Sequence, residues 1–139
     1  FVGQVNLPIE DPKAEPRAAL IVRVRQPFPF YFVCAHLASG IPRQLKTITE
    51  HLKRLRDLPV VLVGDFNVEP DKPCIADLQR DWEIVGDDTP TFHSKAPTRK
   101  IDYVCVMPQG AFHAANYRVI PDPLTSDHLP VVVDLSPRA

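Results

Sequence analysis

The sequence predicts an α/β domain assembled from many short elements. A helical repeat from Ile41 to Leu58 stands between two short apolar runs, Phe30–Ala35 and Val60–Val63. Such a strand-helix-strand unit tends to set its two strands parallel. The chain also holds 16 prolines against 5 glycines, and most prolines lie between the apolar runs, which favours short elements joined by stiff loops. With 139 residues, 45% apolar and 24% charged, it has the length and composition of one globular domain with its own core.

Residues 1–17, punctuated by Pro8, Pro12 and Pro16, read as a connecting segment. From Ala18 to Arg25 the chain alternates, with Leu20, Val22 and Val24 on one side and Ile21, Arg23 and Arg25 on the other, as in a half-exposed strand. Phe30–Ala35 is apolar on both faces and runs out at His36-Leu37. In the helix, Leu45, Ile48, Leu52 and Leu55 oppose Lys46, Glu50, Lys53, Arg54 and Arg56; Pro42 suits its first turn and Pro59 closes it. Val60–Val63, mostly β-branched, is a central strand that Gly64 is expected to end. If the backbone stays extended, Asp65 and Asn67 project to one side and Phe66 to the other.

Farther on, Ile75–Leu78 suggests a short helix, Trp82–Val85 an edge element and Asp87–Thr98 a loop. Lys100–Val106 is a strand with Asp102 inside it, and a carboxylate there needs a partner to offset its desolvation. A strand is expected over Ala114–Val119, and a last one follows Ser126-Asp127-His128.

A net charge of −1 supplies no global positive field to draw a polyanion. The 3 cysteines cannot all pair; Cys34 and Cys105 lie in apolar runs where a buried thiol is the default, and Cys74 lies in a polar loop. The apolar runs fall short of the roughly 18 residues of a membrane span.

Four strand ends carry His36, Asp65 with Asn67, Asp102, and Asp127 with His128. Each has a plain structural explanation: a surface histidine, an Asx turn, a salt-bridged aspartate, a cap-like Ser-Asp. Together they place ionisable groups where strands terminate, which is where sheet proteins build sites. Two imidazoles, three carboxylates and an amide match the needs of metal-assisted phosphoester hydrolysis. Carboxylates bind a hard divalent cation, one carboxylate orients the attacking water, and imidazoles hold phosphoryl oxygens.

His36-Leu37, Gly64-Asp65-Phe66-Asn67, Ile101-Asp102-Tyr103 and Ser126-Asp127-His128-Leu129-Pro130-Val131, in this order, resemble the endonuclease/exonuclease/phosphatase superfamily. That superfamily includes nucleases similar to deoxyribonuclease I, inositol-polyphosphate phosphatases, neutral sphingomyelinases and deadenylases. The resemblance runs from Arg17 to Leu135 and implies a four-layer αββα sandwich, two mixed β-sheets face to face with helices outside, and a site at the strand ends. It implies that Asp65 orients or deprotonates the attacking water, that Asn67 holds that water or a phosphoryl oxygen, and that His36 binds a phosphoryl oxygen. It further implies that His128 contacts the scissile phosphate, that Asp102 fixes the tautomer of His128, and that Asp127 joins Asp65 in a magnesium site, manganese being a substitute. Thr91-Phe92 is similar to a substrate-side loop of bacterial members, without an assigned role.

The sequence departs from the family pattern at its start. Members carry an asparagine and a metal-binding glutamate in an N-terminal half, and Glu10 and Glu15 sit too close to the first strand to match them. Residues 1–139 therefore read as the C-terminal portion of such a domain, with residues 1–17 leading from a missing N-terminal half. The function expected is a divalent-metal-dependent phosphoesterase acting on a small phosphodiester, a lipid headgroup or a nucleic acid. The alternative is a non-catalytic interaction module with the same fold. Asp-x-His with Gly-Asn-His, His-x-His-x-Asp-His and Gly-x-Ser-x-Gly strings are absent, which disfavours three other hydrolase classes.

Overall fold

Ten elements follow the chain in the computed structural model, which describes residues 2–138. The strands are β1 (Gly3–Asn6), β2 (Ala18–Val24), β3 (Phe30–His36), β4 (Val60–Asp65), β5 (Glu83–Val85), β6 (Asp102–Met107), β7 (Phe112–Val119) and β8 (Val131–Pro137). Helix α1 (Pro42–Leu52) lies between β3 and β4, and α2 (Pro73–Leu78) between β4 and β5. Six strands form one sheet in the order β1-β2-β3-β4-β6-β5, and β7 pairs with β8 in a second, antiparallel sheet. Neighbours in the large sheet are antiparallel except β3 and β4, because α1 returns the chain to the edge from which β3 started.

The pleat sorts residues between two cores. On one face Ile21, Val33, Val60, Leu62 and Cys105 pack with Leu45, Ile48 and Leu52 of α1 and Ile75 and Leu78 of α2. On the other, Val61, Val85, Val104 and Val106 pack with Phe112, while Phe28, Phe30, Val131, Val133 and Leu135 close around them. The result is a sandwich of two sheets with helices outside, as expected. Among the described residues both helices lie on the large sheet, and the small sheet is purely antiparallel.

Several elements differ from the pattern-based expectation. Residues 3–6 are an edge strand within the segment read as a connection, held because Val5 and Leu7 reach the helix-side core. Helix α1 stops at Leu52, where Arg54 and Leu55 turn back on His51 and Leu52 through i to i−3 hydrogen bonds; Leu55 and Leu58 then reach the core from outside the helix. Gly64 does not end β4 but lies within it, at φ 142°, and a Cβ there would run into the carbonyl of Ala35. In β2 the buried residues are Ala19 and Ile21, whereas Leu20 and Val22 are 48% and 38% exposed. Phe32 beside them is 37% exposed, and Cys34, expected to be buried, is exposed on the same face. The cause is coverage: the two strands of the small sheet reach over β4, β6 and β5 but not over β2.

Gln44 is a buried polar residue of α1 that helical spacing did not single out. Its amide accepts from Ala38 N–H at 2.8 Å and donates to Pro8 O at 2.9 Å, tying the loop after β3 to the N-terminal segment. This anchors the end of β3, where His36 stands.

Candidate active site

Strand register alone assembles half of the site. His36 at the end of β3 lies opposite Asp65 at the end of β4, and Asp65 lies opposite Asp102 at the start of β6. Residues directly opposite one another in neighbouring strands project to the same face. Three adjacent strands thus present an imidazole and two carboxylates in one row, on the face that looks toward the small sheet.

Beyond Asp65 the chain turns instead of running straight. Asn67 adopts a left-handed conformation at φ 51°, and its N–H donates to Asp65 Oδ1 at 2.7 Å, an Asx turn. The turn brings the Asn67 amide nitrogen to 3.2 Å from Asp65 Oδ2, 3.4 Å from His36 Nε2 and 2.9 Å from Leu37 O. The turn and the site are therefore the same structure, reached by a bend rather than by an extended strand. Phe66 is fully buried on the helix side, stacked on Tyr103 at 4.9 Å, while the Tyr103 hydroxyl donates to Val68 O at 2.8 Å. That clamp fixes where Asn67 turns.

His128 comes from the chain before β8. Its Nδ1 lies 2.9 Å from Asp102 Oδ2 and its Nε2 lies 3.7 Å from Asp65 Oδ2. His36 Nε2 approaches the same Asp65 oxygen at 3.4 Å. The partner demanded by the charge inside β6 is thus His128, 26 residues away. His36, Asp65, Asn67, Asp102 and His128 meet in one place. Asp127 does not join them by contact: it is exposed, and its backbone carbonyl accepts from Ser94 N–H at 2.7 Å.

Thr91, Phe92 and Ser94 were given no role by the sequence. Thr91 is fully buried and donates its hydroxyl to Asp102 Oδ2 at 2.5 Å; the Phe92 ring packs on the His128 ring at 4.9 Å. Ser94 is buried and donates to Ser126 O at 2.7 Å. Their only sequence signal was a threonine-aromatic pair in a loop of turn residues, which does not tell a strap from a solvated connection.

The electrostatics follow from burial and these neighbours. Burial pushes the Asp65 carboxyl above the ordinary aspartate value and the Asp102 charge adds to it, while the Asn67 N–H and the imidazoles of His36 and His128 pull the other way. For His128, burial alone would lower the imidazole. The hydrogen bond and charge of Asp102, with the charges of Asp65 and Asp127, outweigh it and raise the value.

Asp65, Asp102 and His128 offer ligand atoms within 4.8 Å of one another. Asp102 Oδ2 and His128 Nδ1 are already committed to each other, while both Asp65 oxygens face donors, Oδ1 the Asn67 N–H and Oδ2 the Asn67 amide and the two imidazoles. The two carboxylates and the imidazole are a donor set that could hold a divalent cation, with water or substrate oxygens completing the shell.

A family model described as Endonuclease/Exonuclease/phosphatase family matches residues 4–128. Among solved structures, the chain is similar to a Bacteroides thetaiotaomicron mannosyl-6-phosphatase at 22% identity and TM-score 0.74, over 97% of this chain and 66% of that one. It is similar to a functionally unknown protein from Enterococcus faecalis at 22% identity and TM-score 0.73, over 99% of this chain and 66% of that one. The human Nocturnin catalytic domain, solved with a bound sulfate anion, shares 17% identity at TM-score 0.70, over 99% of this chain and 59% of that one. At these identities the likeness is one of fold, and the chain spans less than two thirds of the length of each of these structures. No curated protein sequence matches the chain.

Proposed function

The chain belongs to the endonuclease/exonuclease/phosphatase family, and on that premise we propose that it carries the hydrolytic residues of a divalent-metal-dependent phosphoesterase. The observation that carries the reading is the meeting of His36, Asp65, Asn67, Asp102 and His128 at one end of the sheet, within hydrogen-bond or ion-pair reach of one another.

In this reading Asp65 orients the attacking water and takes its proton as the new bond to phosphorus forms and the bond to the leaving oxygen breaks. A carboxylate of raised pKa is a better proton acceptor than an ordinary one. Asn67, tethered through Leu37 O, presents its amide to that water or to a phosphoryl oxygen. His36 and His128 turn Nε2 toward the same opening and hold phosphoryl oxygens, with Asp102 keeping the His128 ring in place. Asp65, with the exposed Asp127, would hold magnesium or manganese, which supplies positive charge to the phosphoryl group when bound.

The domain reading is part of the proposal. Residues 1–139 are taken as the C-terminal portion of a larger domain, whose remainder supplies a further metal-binding carboxylate. Support comes from the uncovered face of the large sheet, where Leu20, Val22 and Phe32 are exposed, and from an open cleft of about 630 Å³. The cleft is lined by Phe32, Val61 and Val63 on one side and by Val131, Val133 and Leu135 on the other, with Asp102 and His128 at its rim. An exposed apolar face continuous with such a cleft is the kind of surface that further polypeptide covers.

Hydrolysis of bis(p-nitrophenyl) phosphate and p-nitrophenyl phosphate with magnesium tests the reading and separates diester from monoester preference. Turnover should require the cation; equal rates with excess chelator overturn metal dependence. The absence of hydrolysis of either ester by an N-terminally longer form of the protein would instead favour an interaction module.

A further inference from the structure

We propose that Thr91 is a positioning residue that sets the tautomer and bearing of His128 through Asp102. The chain from Thr91 to Ser94 lies antiparallel to Ser126–Leu129. Leu129 N–H donates to Thr91 O at 2.8 Å, Ser94 N–H donates to Asp127 O at 2.7 Å, and Phe92 bridges His128 between them. The start of this strap is held again at 2.9 Å, where Thr91 N–H donates to Arg99 O. It is therefore a fixed piece of backbone running along the segment that delivers His128.

The Thr91 side chain is 0% exposed, so its hydroxyl hydrogen has no water to turn to. It is donated to Asp102 Oδ2 at 2.5 Å, the same oxygen that stands 2.9 Å from His128 Nδ1. An oxygen taking both hydrogens acts as acceptor on both bonds. Nδ1 then carries its N–H, and Nε2 is the nitrogen left on the side of Asp65 Oδ2, 3.7 Å away, a donor there when the ring is protonated. Without the hydroxyl, the Asp102 carboxylate loses one of the two contacts that set its rotation, and the imidazole loses the fixed acceptor that selects its tautomer. Phe92, packed on the ring at 4.9 Å, limits tilt but does not choose between the nitrogens. The catalytic consequence rests on the reading of His128 given above; the tautomer does not.

The test is side-chain nitrogen NMR of His128 in the wild type, Thr91→Val, which keeps the shape and drops the hydroxyl, and Thr91→Ser, which restores it. Wild type and Thr91→Ser should show one tautomer with a slowly exchanging Nδ1–H. In Thr91→Val the second tautomer should appear and Nδ1–H exchange should quicken at least about tenfold, the scale set by a hydrogen bond to a charged group. A Thr91→Val spectrum with wild-type tautomer and exchange overturns the proposal. Should that variant not fold, the Thr91 hydroxyl proton of the wild type decides: protection from exchange supports the proposal, and exchange at the solvent rate overturns it. Where turnover is measurable, Thr91→Val should lower kcat with KM unchanged and Thr91→Ser should recover it; a loss confined to KM counts against the positioning role. The NMR readout stands even in a chain that hydrolyses nothing, so the two readings fail separately.

Discussion

Oδ2 of Asp102 and Nδ1 of His128 lie 2.9 Å apart, and this contact joins the start of a sheet strand to the loop before the last strand. Asp102→Asn removes the charge that offsets burial, so the His128 midpoint should fall in an NMR titration. Because the folded imidazole is raised above its ordinary 6.5, its contribution to stability is complete below that pH and is lost as pH rises through the raised value. Wild type should therefore lose stability across that window, and Asp102→Asn should lose less. An unchanged His128 midpoint in the variant would refute the pairing.

Asp65→Asn should lower turnover by about 10²-fold or more, as is usual for a proton acceptor used in the transition state. The same change should raise the melting temperature at pH 7. Asp65 is raised in the folded state, so ionising it costs stability that the amide does not lose. The gap between the two proteins should open as pH rises from the ordinary aspartate value of 3.8 through the raised one. Melting curves at pH 3.5 and 7 that stay parallel would contradict this electrostatic account.

Gly64→Ala should cost about 2–5 kcal/mol in urea unfolding, the sum of left-handed strain and a backbone clash. The position has φ 142°, and an added Cβ meets the Ala35 carbonyl, so β3 and β4 would have to part at the end that carries His36 and Asp65. A variant of wild-type stability would show that the close approach is not needed.

Serine at Leu20 or Phe32, which are about half-exposed, should cost the stability of residues 1–139 no more than about 1 kcal/mol and reduce self-association. In a longer protein whose remaining polypeptide covers this face, each change should cost roughly 1.5–3 kcal/mol. Equal costs in both proteins would remove the support that this face lends to a larger domain. Comparing the magnesium-dependent rates of the two proteins then tests whether the remainder also completes the metal site.

Periodicity and local spacing determined a good part of this molecule. The parallel β3-α1-β4 unit followed from a helical repeat between two apolar runs, because secondary structure writes its period into adjacent residues. Gly64-Asp65-Phe66-Asn67 marked the site because its groups lie within one turn of each other, and Asp102 stood out because a carboxylate in an apolar strand demands a partner. Other features were decided only when distant segments met. Which face of β2 is buried could not follow from alternation, since both faces carry apolar residues and the extent of the opposing sheet settles the matter. Asn67 reached Asp65 through a turn whose position depends on Phe66 stacking on Tyr103, 4.9 Å away in space and on another strand. Thr91, Gln44 and the edge strand β1 acquired meaning from partners 11 to 36 residues away in sequence, or across a sheet edge. A hydroxyl or amide shows no preference for such a partner until packing has removed water and left a single acceptor within reach.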